Sequence, residues 1–139
     1  MKKSILLLGI LVLGMTLSAQ AETNPFIGEW EGGVPGWNFT IVFMYNNMCI
    51  ITVKTVQDGR EIAEEADGYW TYDENFYGGT LIRINGNFPN SRIRGLSRIN
   101  WRSVYTFSNA GDTAFSMLIT PPNGNAQTQI SFARIFSYE

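Results

Sequence analysis

Apolar and polar residues alternate along most of the chain, which predicts β-strands. From Phe26 onward, short alternating segments are separated by clusters of Gly, Asn, Asp and Pro. The clearest strand covers residues 37–45, whose odd positions are all large and apolar or aromatic. Asn46 and Asn47 tolerate positive φ and predict a tight turn into a partner strand at residues 48–56. No long helical pattern appears.

The same pattern predicts eight strands in all. The segment 57–68 is polar and acidic and is expected to be a long loop or to carry one helical turn, and residues 86–97 form a longer connection rich in Gly, Asn, Pro and Arg. Further turns are predicted at residues 73–75, 109–112 and 121–125. The predicted strands are residues 28–34, 37–45, 48–56, 69–72, 80–85, 100–107, 113–120 and 127–136.

Eight short antiparallel strands in sequence can form either a sandwich or a closed up-and-down barrel. Closure removes both exposed sheet edges. An interior of eight strands is either filled by side chains or holds one small ligand. We therefore predict an all-β fold, an eight-stranded antiparallel up-and-down barrel, for residues 22–139.

The first and last predicted strands carry a family resemblance. Residues 26–30, Phe-Ile-Gly-Glu-Trp, resemble the Gly-x-Trp opening of lipocalins and related calycins, and residues 130–134, Ile-Ser-Phe-Ala-Arg, resemble their closing strand. In that family the tryptophan packs on the arginine beside the closed end of the barrel. The resemblance assigns this clasp to Trp30 and Arg134, and a cation–π contact of this kind stabilises by roughly 0.5 to 2 kcal/mol.

The middle of the chain is also similar to small bacterial lipocalin-like domains. Residues 68–70, Gly-Tyr-Trp, and 79–82, Gly-Thr-Leu-Ile, match the Gly-x-Tyr/Trp and Thr-Leu strands of that group. The Thr-Asp-x-x-Tyr motif of classical lipocalins is absent. By strand parity Trp30 faces inward while Glu29 and Glu31 face outward, as the barrel requires.

Residues 1–21 have the features of a cleavable secretory signal. Lys2 and Lys3 precede an apolar stretch that ends in Ala-Gln-Ala at residues 19–21. The stretch is shorter than the roughly 20 residues a membrane-spanning helix needs. No cysteine stands at the cleavage point for lipid attachment. The sequence thus predicts a periplasmic or secreted domain at residues 22–139 without integral membrane association.

The amino-acid composition restricts the classes of function that the chain can have. Two of the ten basic residues lie in the signal, so the exported domain has eight basic and twelve acidic residues. Its formal net charge of −4 argues against nucleic-acid binding. The chain has no histidine, which excludes Ser-His-Asp triads and histidine ligation of metal or haem. Its single cysteine, Cys49, lies in an apolar run and is expected to be a buried, inert thiol. We expect neither a cofactor nor a metal, and no enzymatic activity.

Two charged segments and one apolar set are the candidates for function. The acidic residues between 61 and 67 are interpreted as a solvated loop in preference to a catalytic or Ca²⁺ site. The arginines of the loop 86–98, with Arg102, are interpreted as a solvated loop in preference to a site for an anionic group or surface. The predicted ligand-binding side chains all fall on regular strand positions, where both a ligand pocket and plain core packing would place them: Trp37, Phe39, Phe43, Trp70, Tyr72, Trp101, Tyr105, Phe115 and Met117.

The leading functional hypothesis is an exported lipocalin-like protein that binds a small hydrophobic or amphipathic ligand in the barrel. The alternative is an exported protein-interaction or inhibitor module that holds no small molecule. A small outer-membrane barrel is disfavoured, because the face that carries Arg134 would place it in hydrocarbon at a cost of roughly 2 to 4 kcal/mol. Oligomeric state and ligand identity stay open.

Overall fold

The computed structural model describes residues 24–76, 79–107, 113–122, 124 and 126–135. The predicted signal segment and the predicted turn at residues 109–112 lie outside the described residues. Among those described, no helix is long and apolar enough to cross a bilayer.

The described chain is almost entirely β-structure, with one short 3₁₀ turn at Tyr45–Asn47. The strands form one antiparallel sheet in the order β6-β5-β4-β3-β2-β1-β9-β8-β7. In chain order they are β1 (Gly28–Val34), β2 (Trp37–Phe43), β3 (Met48–Gln57), β4 (Arg60–Phe76), β5 (Gly79–Asn87), β6 (Arg98–Val104), β7 (Thr106–Phe107), β8 (Ala114–Ile119) and β9 (Thr128–Ile135).

The two ends of this sheet order are consecutive in the chain. β6 pairs with β5, and after Tyr105 the chain continues as β7, which pairs with β8. One continuous stretch of chain, residues 98–107, therefore pairs with both β5 and β8 and brings the two ends of the strand order together. Because Tyr105 alone separates β6 from β7, these two count as one interrupted strand. The result is a nearly closed, eight-stranded up-and-down barrel, which confirms the predicted fold class.

Side-chain alternation explains which face of each strand is inside. In β1, Trp30 and Gly32 are buried, whereas Glu29 and Glu31 are exposed, as the parity of the sequence predicts. β6 alternates strictly between exposed and buried residues. The buried side chains of all the long strands meet in a single apolar cluster inside the barrel.

The prediction for residues 57–68 was wrong. Asp58 and Gly59, both with positive φ, make a two-residue turn, and β4 then runs through the acidic segment. The charges of Glu61, Glu65 and Asp67 lie on the exposed outer face. Ile62 is the one large apolar residue at the inward positions 62–68, which also include Glu64, so the period-two signal is weak in the sequence.

The predicted turn at residues 73–75 was also wrong, because β4 continues to Phe76 with a register shift between Asp73 and Phe76. The turn predicted from Asn46 and Asn47 is confirmed, since their φ angles are 70° and 64°.

The N-terminal segment and this turn lie at one end of the barrel, here called the N-terminal end. The turns at residues 35–36 and 58–59 and the connection 88–97 lie at the other, here called the loop end.

Candidate functional site

The nine predicted ligand-binding side chains come together on the inner side of the barrel. Six of them are at most 4% exposed, and Trp37, Tyr72 and Tyr105 are partly buried and pack against the same cluster. The six are Phe39, Phe43, Trp70, Trp101, Phe115 and Met117. Their role in binding a ligand stays a prediction, and their observed role is packing.

Two of these rings meet across the middle of the barrel. Phe39 on β2 and Trp101 on β6 have ring centroids 4.9 Å apart at an interplanar angle of 89°, an edge-to-face contact. In the strand order, β2 and β6 stand on opposite walls. A contact this short leaves no space for a ligand between the two rings. The lumen is filled at this level by the protein's own side chains.

Phe26 fills the N-terminal end. Its ring is fully buried and lies 4.5 Å from the ring of Tyr105, 5.1 Å from Phe115 and 5.7 Å from Phe43. Asn24 holds the segment in place, because its Oδ1 accepts a hydrogen bond from the Phe26 backbone N–H at 2.9 Å. This plug was not predicted from the sequence, although an aromatic residue two positions before the first strand was its signal.

Trp30 and Arg134 lie in contact beside this plug. The guanidinium carbon of Arg134 is 4.3 Å from the centre of the Trp30 ring, and the two residues are register partners in the β1–β9 ladder. Arg134 Nη1 donates to the carbonyl of Ile27 at 2.8 Å, and Nη2 donates to the carbonyl of Pro25. The Trp30 indole N–H donates to the carbonyl of Phe26 at 2.8 Å. The clasp thus ties the last strand to the segment that carries the plug.

The connection 88–97 covers the loop end. Phe88, Ile93 and Leu96 are nearly fully buried and belong to the core cluster. Backbone hydrogen bonds from Phe88 N to Ser97 O and from Leu96 N to Ile93 O shape the loop. The arginines of this segment are exposed, as expected for a solvated loop, but its apolar side chains close the barrel.

Polar groups at the rim hold this loop down. Glu64 accepts hydrogen bonds from the Ser91 hydroxyl at 2.5 Å and from the Arg92 backbone N–H at 2.8 Å. Gln57 donates to the Arg92 carbonyl at 3.0 Å and accepts from the Arg94 N–H at 2.8 Å. We call Gln57 and Glu64, with their partners in the loop, the rim clamp.

The carboxyl of Glu64 has a pKa below its ordinary value. Its partial burial raises the pKa, but the hydrogen bonds from Ser91 and Arg92 and the nearby Arg92 guanidinium outweigh that effect. Arg92 Nε is 3.6 Å from Glu64 Oε2. The ionised carboxylate is therefore the form that holds the loop.

The barrel closes differently between β6 and β8. Within the described residues no backbone ladder joins these strands, and side chains bridge them. The Leu118 N–H donates to Ser103 Oγ at 2.9 Å, and the Ser103 hydroxyl donates to the Val104 carbonyl at 3.1 Å. The Trp101 indole N–H donates to the Thr120 carbonyl at 3.2 Å. We call this junction the split seam.

A groove of about 300 Å³ opens beside the split seam at the loop end. Four consecutive residues of β6, Arg98 to Trp101, line one side of it, and Thr120, Pro121 and Pro122 line the other. Both inward and outward residues of β6 reach the groove, so it follows the edge of the strand. We call it the seam groove.

Positive charge is concentrated on the outer face next to this groove. Arg83 on β5 and Arg102 on β6 are direct cross-strand partners, and Arg98 lies exposed further along β6. Like charges placed directly opposite one another destabilise a sheet slightly. The acidic outer face of β4, with Glu65 and Asp67, lies on the other side of β5.

The Cys49 thiol is fully buried in the barrel wall. Burial raises the pKa of the Cys49 thiol to about 12, with a further contribution from the Asp67 carboxylate. No group of three Cys, Asp or Glu side chains that could hold a metal ion occurs among the described residues.

Comparison with models of known protein families, with curated proteins and with solved structures finds no match. The resemblance to lipocalins therefore rests on the sequence motifs alone.

Proposed function

We propose that residues 22–139 form an exported binding module that recognises another protein through its outer surface, with the barrel lumen serving as its core. The observation that carries this proposal is the 4.9 Å contact between Phe39 and Trp101, which joins opposite walls where a lipocalin-type ligand would lie. The plug at Phe26 and the buried side chains of the connection 88–97 support it from the two ends. Export rests on the features of residues 1–21.

Crosslinking in intact cells tests this function. Full-length protein with a photoreactive amino acid at exposed sites around the barrel is expected to crosslink to the same partner protein reproducibly, and to be recovered from the exported fraction. The control carries the same group at the buried position Met117, where no crosslink to a partner is expected. Recovery only in the cytoplasm, or no partner from any exposed site, would contradict the proposal.

The second candidate is a carrier of a small lipophilic ligand, within a lipocalin-like family. One observation favours it: the loop end is held closed by a few polar contacts of the rim clamp, so a single loop movement would uncover Phe88, Ile93 and Leu96 and the lumen below them. Native mass spectrometry of protein purified without organic solvent separates the two candidates. If the protein is a protein-recognition module, the spectrum shows the mass of the chain alone. If it is a carrier, the spectrum shows a stoichiometric adduct that solvent extraction removes.

A further inference from the structure

We infer that the seam groove is the docking site for an extended acidic segment of a partner protein, which adds as a short strand to the edge of β6. This inference rests on the proposed function and specifies where and how the partner binds. The juxtaposition behind it is a strand edge that has no ladder partner among the described residues, a groove along that edge and an arginine that lines the groove.

The edge itself is the first element. β6 is an end strand of the sheet order, and in the described part of the chain its side facing β8 has no ladder partner. Backbone N–H and C=O groups alternate in direction along a strand, so about half of those in β6 point away from β5. Such an edge is a template for another strand. Side-chain bridges occupy it between Ser103 and Leu118 and between Trp101 and Thr120, which leaves the part from Arg98 to Asn100.

The opposite wall explains why the protein does not pair this edge itself. β8 ends at Ile119, and the chain continues as Thr120-Pro121-Pro122. Proline has no N–H and cannot donate to a ladder. Two consecutive prolines therefore stop β8 from extending alongside Arg98 and Ile99, and the seam widens there into the groove.

The size of the groove suits a peptide. At about 300 Å³ it is at the lower end of ligand-binding clefts. The three residues from Arg98 to Asn100 offer roughly 10 Å of edge, since a strand rises about 3.3 Å per residue. A segment of about three residues in an extended conformation fits that length.

The charge of the groove selects the occupant. Arg98 is the one ionisable residue among the described residues that line it, and Arg102 and Arg83 lie exposed on the same outer face. On a strand paired with β6, the outward side chains lie next to those of Arg98 and Asn100. A carboxylate at that position pairs with the Arg98 guanidinium, so aspartate or glutamate is favoured there and lysine is disfavoured.

Selection from a phage-displayed library of random linear peptides tests the inference directly. The exported full-length protein is the bait. We expect enrichment of peptides with Asp or Glu at alternate positions among β-branched residues. Arg98→Glu is expected to weaken an enriched peptide about five- to tenfold or more in calorimetric titration. The matched control, Arg60→Glu, makes the same charge change at an exposed position on β4 that does not line the groove, and it is expected to leave the affinity unchanged.

Backbone methylation separates strand addition from simple ion pairing. One enriched peptide is synthesised with N-methyl groups at odd positions and again with N-methyl groups at even positions. Strand addition predicts that one pattern abolishes binding and the other does not, because only alternate N–H groups face β6. Equal effects of the two patterns overturn the inference, as does competition by inorganic phosphate at equal strength, which would mark an anion site alone.

The failure of this inference is distinguishable from that of the proposed function. If the crosslinked partner is captured equally by wild type and Arg98→Glu, or if the library yields no acidic peptide, the groove is not the docking site while surface recognition stands. If no partner crosslinks from any exposed site, the proposed function itself fails.

Discussion

The barrel is closed at two places, and the two closures differ in what holds them. β1 and β9 share a backbone ladder, and the Trp30–Arg134 clasp reinforces it where the chain ends of the domain meet. In the part of the chain that the structure describes, β6 and β8 share no backbone ladder, and the side chains of Ser103 and Trp101 bridge them. The first closure leaves no edge, whereas the second leaves a strand edge that the fold does not use. We therefore expect the first closure to contribute more to stability, and we propose the second as the place of recognition.

The largest expected effect is at the clasp. Arg134→Ala removes two hydrogen bonds from a charged donor and the contact with the Trp30 ring, so we expect the free energy of unfolding to fall by about 3 kcal/mol. Urea denaturation followed by tryptophan fluorescence measures it. Arg134→Lys keeps the charge but not the two-pronged donor and is expected to recover less than half of the loss. A change below 1 kcal/mol for Arg134→Ala would show that the clasp is incidental to stability.

A smaller effect is expected at the split seam. Ser103→Ala leaves the Leu118 N–H without its acceptor, which costs about 1 to 2 kcal/mol. The control is Ser116→Ala, which removes an exposed hydroxyl bonded to Ser131 and is expected to cost under about 0.5 kcal/mol. Equal destabilisation by the two variants would mean that the Ser103 hydroxyl does not hold the seam.

The rim clamp gives a pH-dependent effect. Because the pKa of Glu64 is lowered in the folded state, its ionised form contributes stability above the carboxyl's ordinary value of 4.5, and that contribution is lost as the pH falls through the lowered pKa. We expect the backbone amide resonance of Arg92 to shift with that single titration. Glu64→Gln should abolish the shift, whereas Glu65→Gln, on the exposed outer face, should leave it. A midpoint above the ordinary value would contradict the proposed clamp.

The smallest expected effect is the reactivity of Cys49. With its pKa raised to about 12 and its side chain fully buried, the thiol should be unreactive toward a thiol-specific reagent at pH 8 in the native protein. It should react completely in urea. Rapid labelling of native protein would show that the barrel wall at β3 opens locally, in addition to any opening at the split seam.

The sequence was sufficient to predict the barrel and the inward direction of its aromatic rings, because strand parity depends only on local alternation. It was insufficient for the acidic strand β4, where Glu64 and Ala66 take inward positions that in other strands hold large apolar side chains. The inward position of Glu64 is explained by the hydrogen bonds that it accepts from Ser91 and Arg92, which are distant in sequence.

The candidate site was predicted in part for the same reason. The aromatic set could be assigned to the lumen, but whether opposite walls touch depends on barrel diameter and side-chain rotamers, which alternation does not specify. The split seam could not be predicted at all. Ser103 resembles any buried serine in a strand, and Pro121 and Pro122 are typical of a turn; their joint effect appears only when β6 and β8 are brought side by side.

The most direct test of the account is the proton Overhauser contact between the Phe39 and Trp101 rings in protein purified from its own cells without organic solvent. If the lumen is a core, the contact expected from a 4.9 Å centroid distance is strong in this sample and unchanged after solvent extraction. If the contact is missing at first and appears only after extraction, a bound molecule had separated the two rings. That result would contradict the packed lumen and establish the barrel as a carrier.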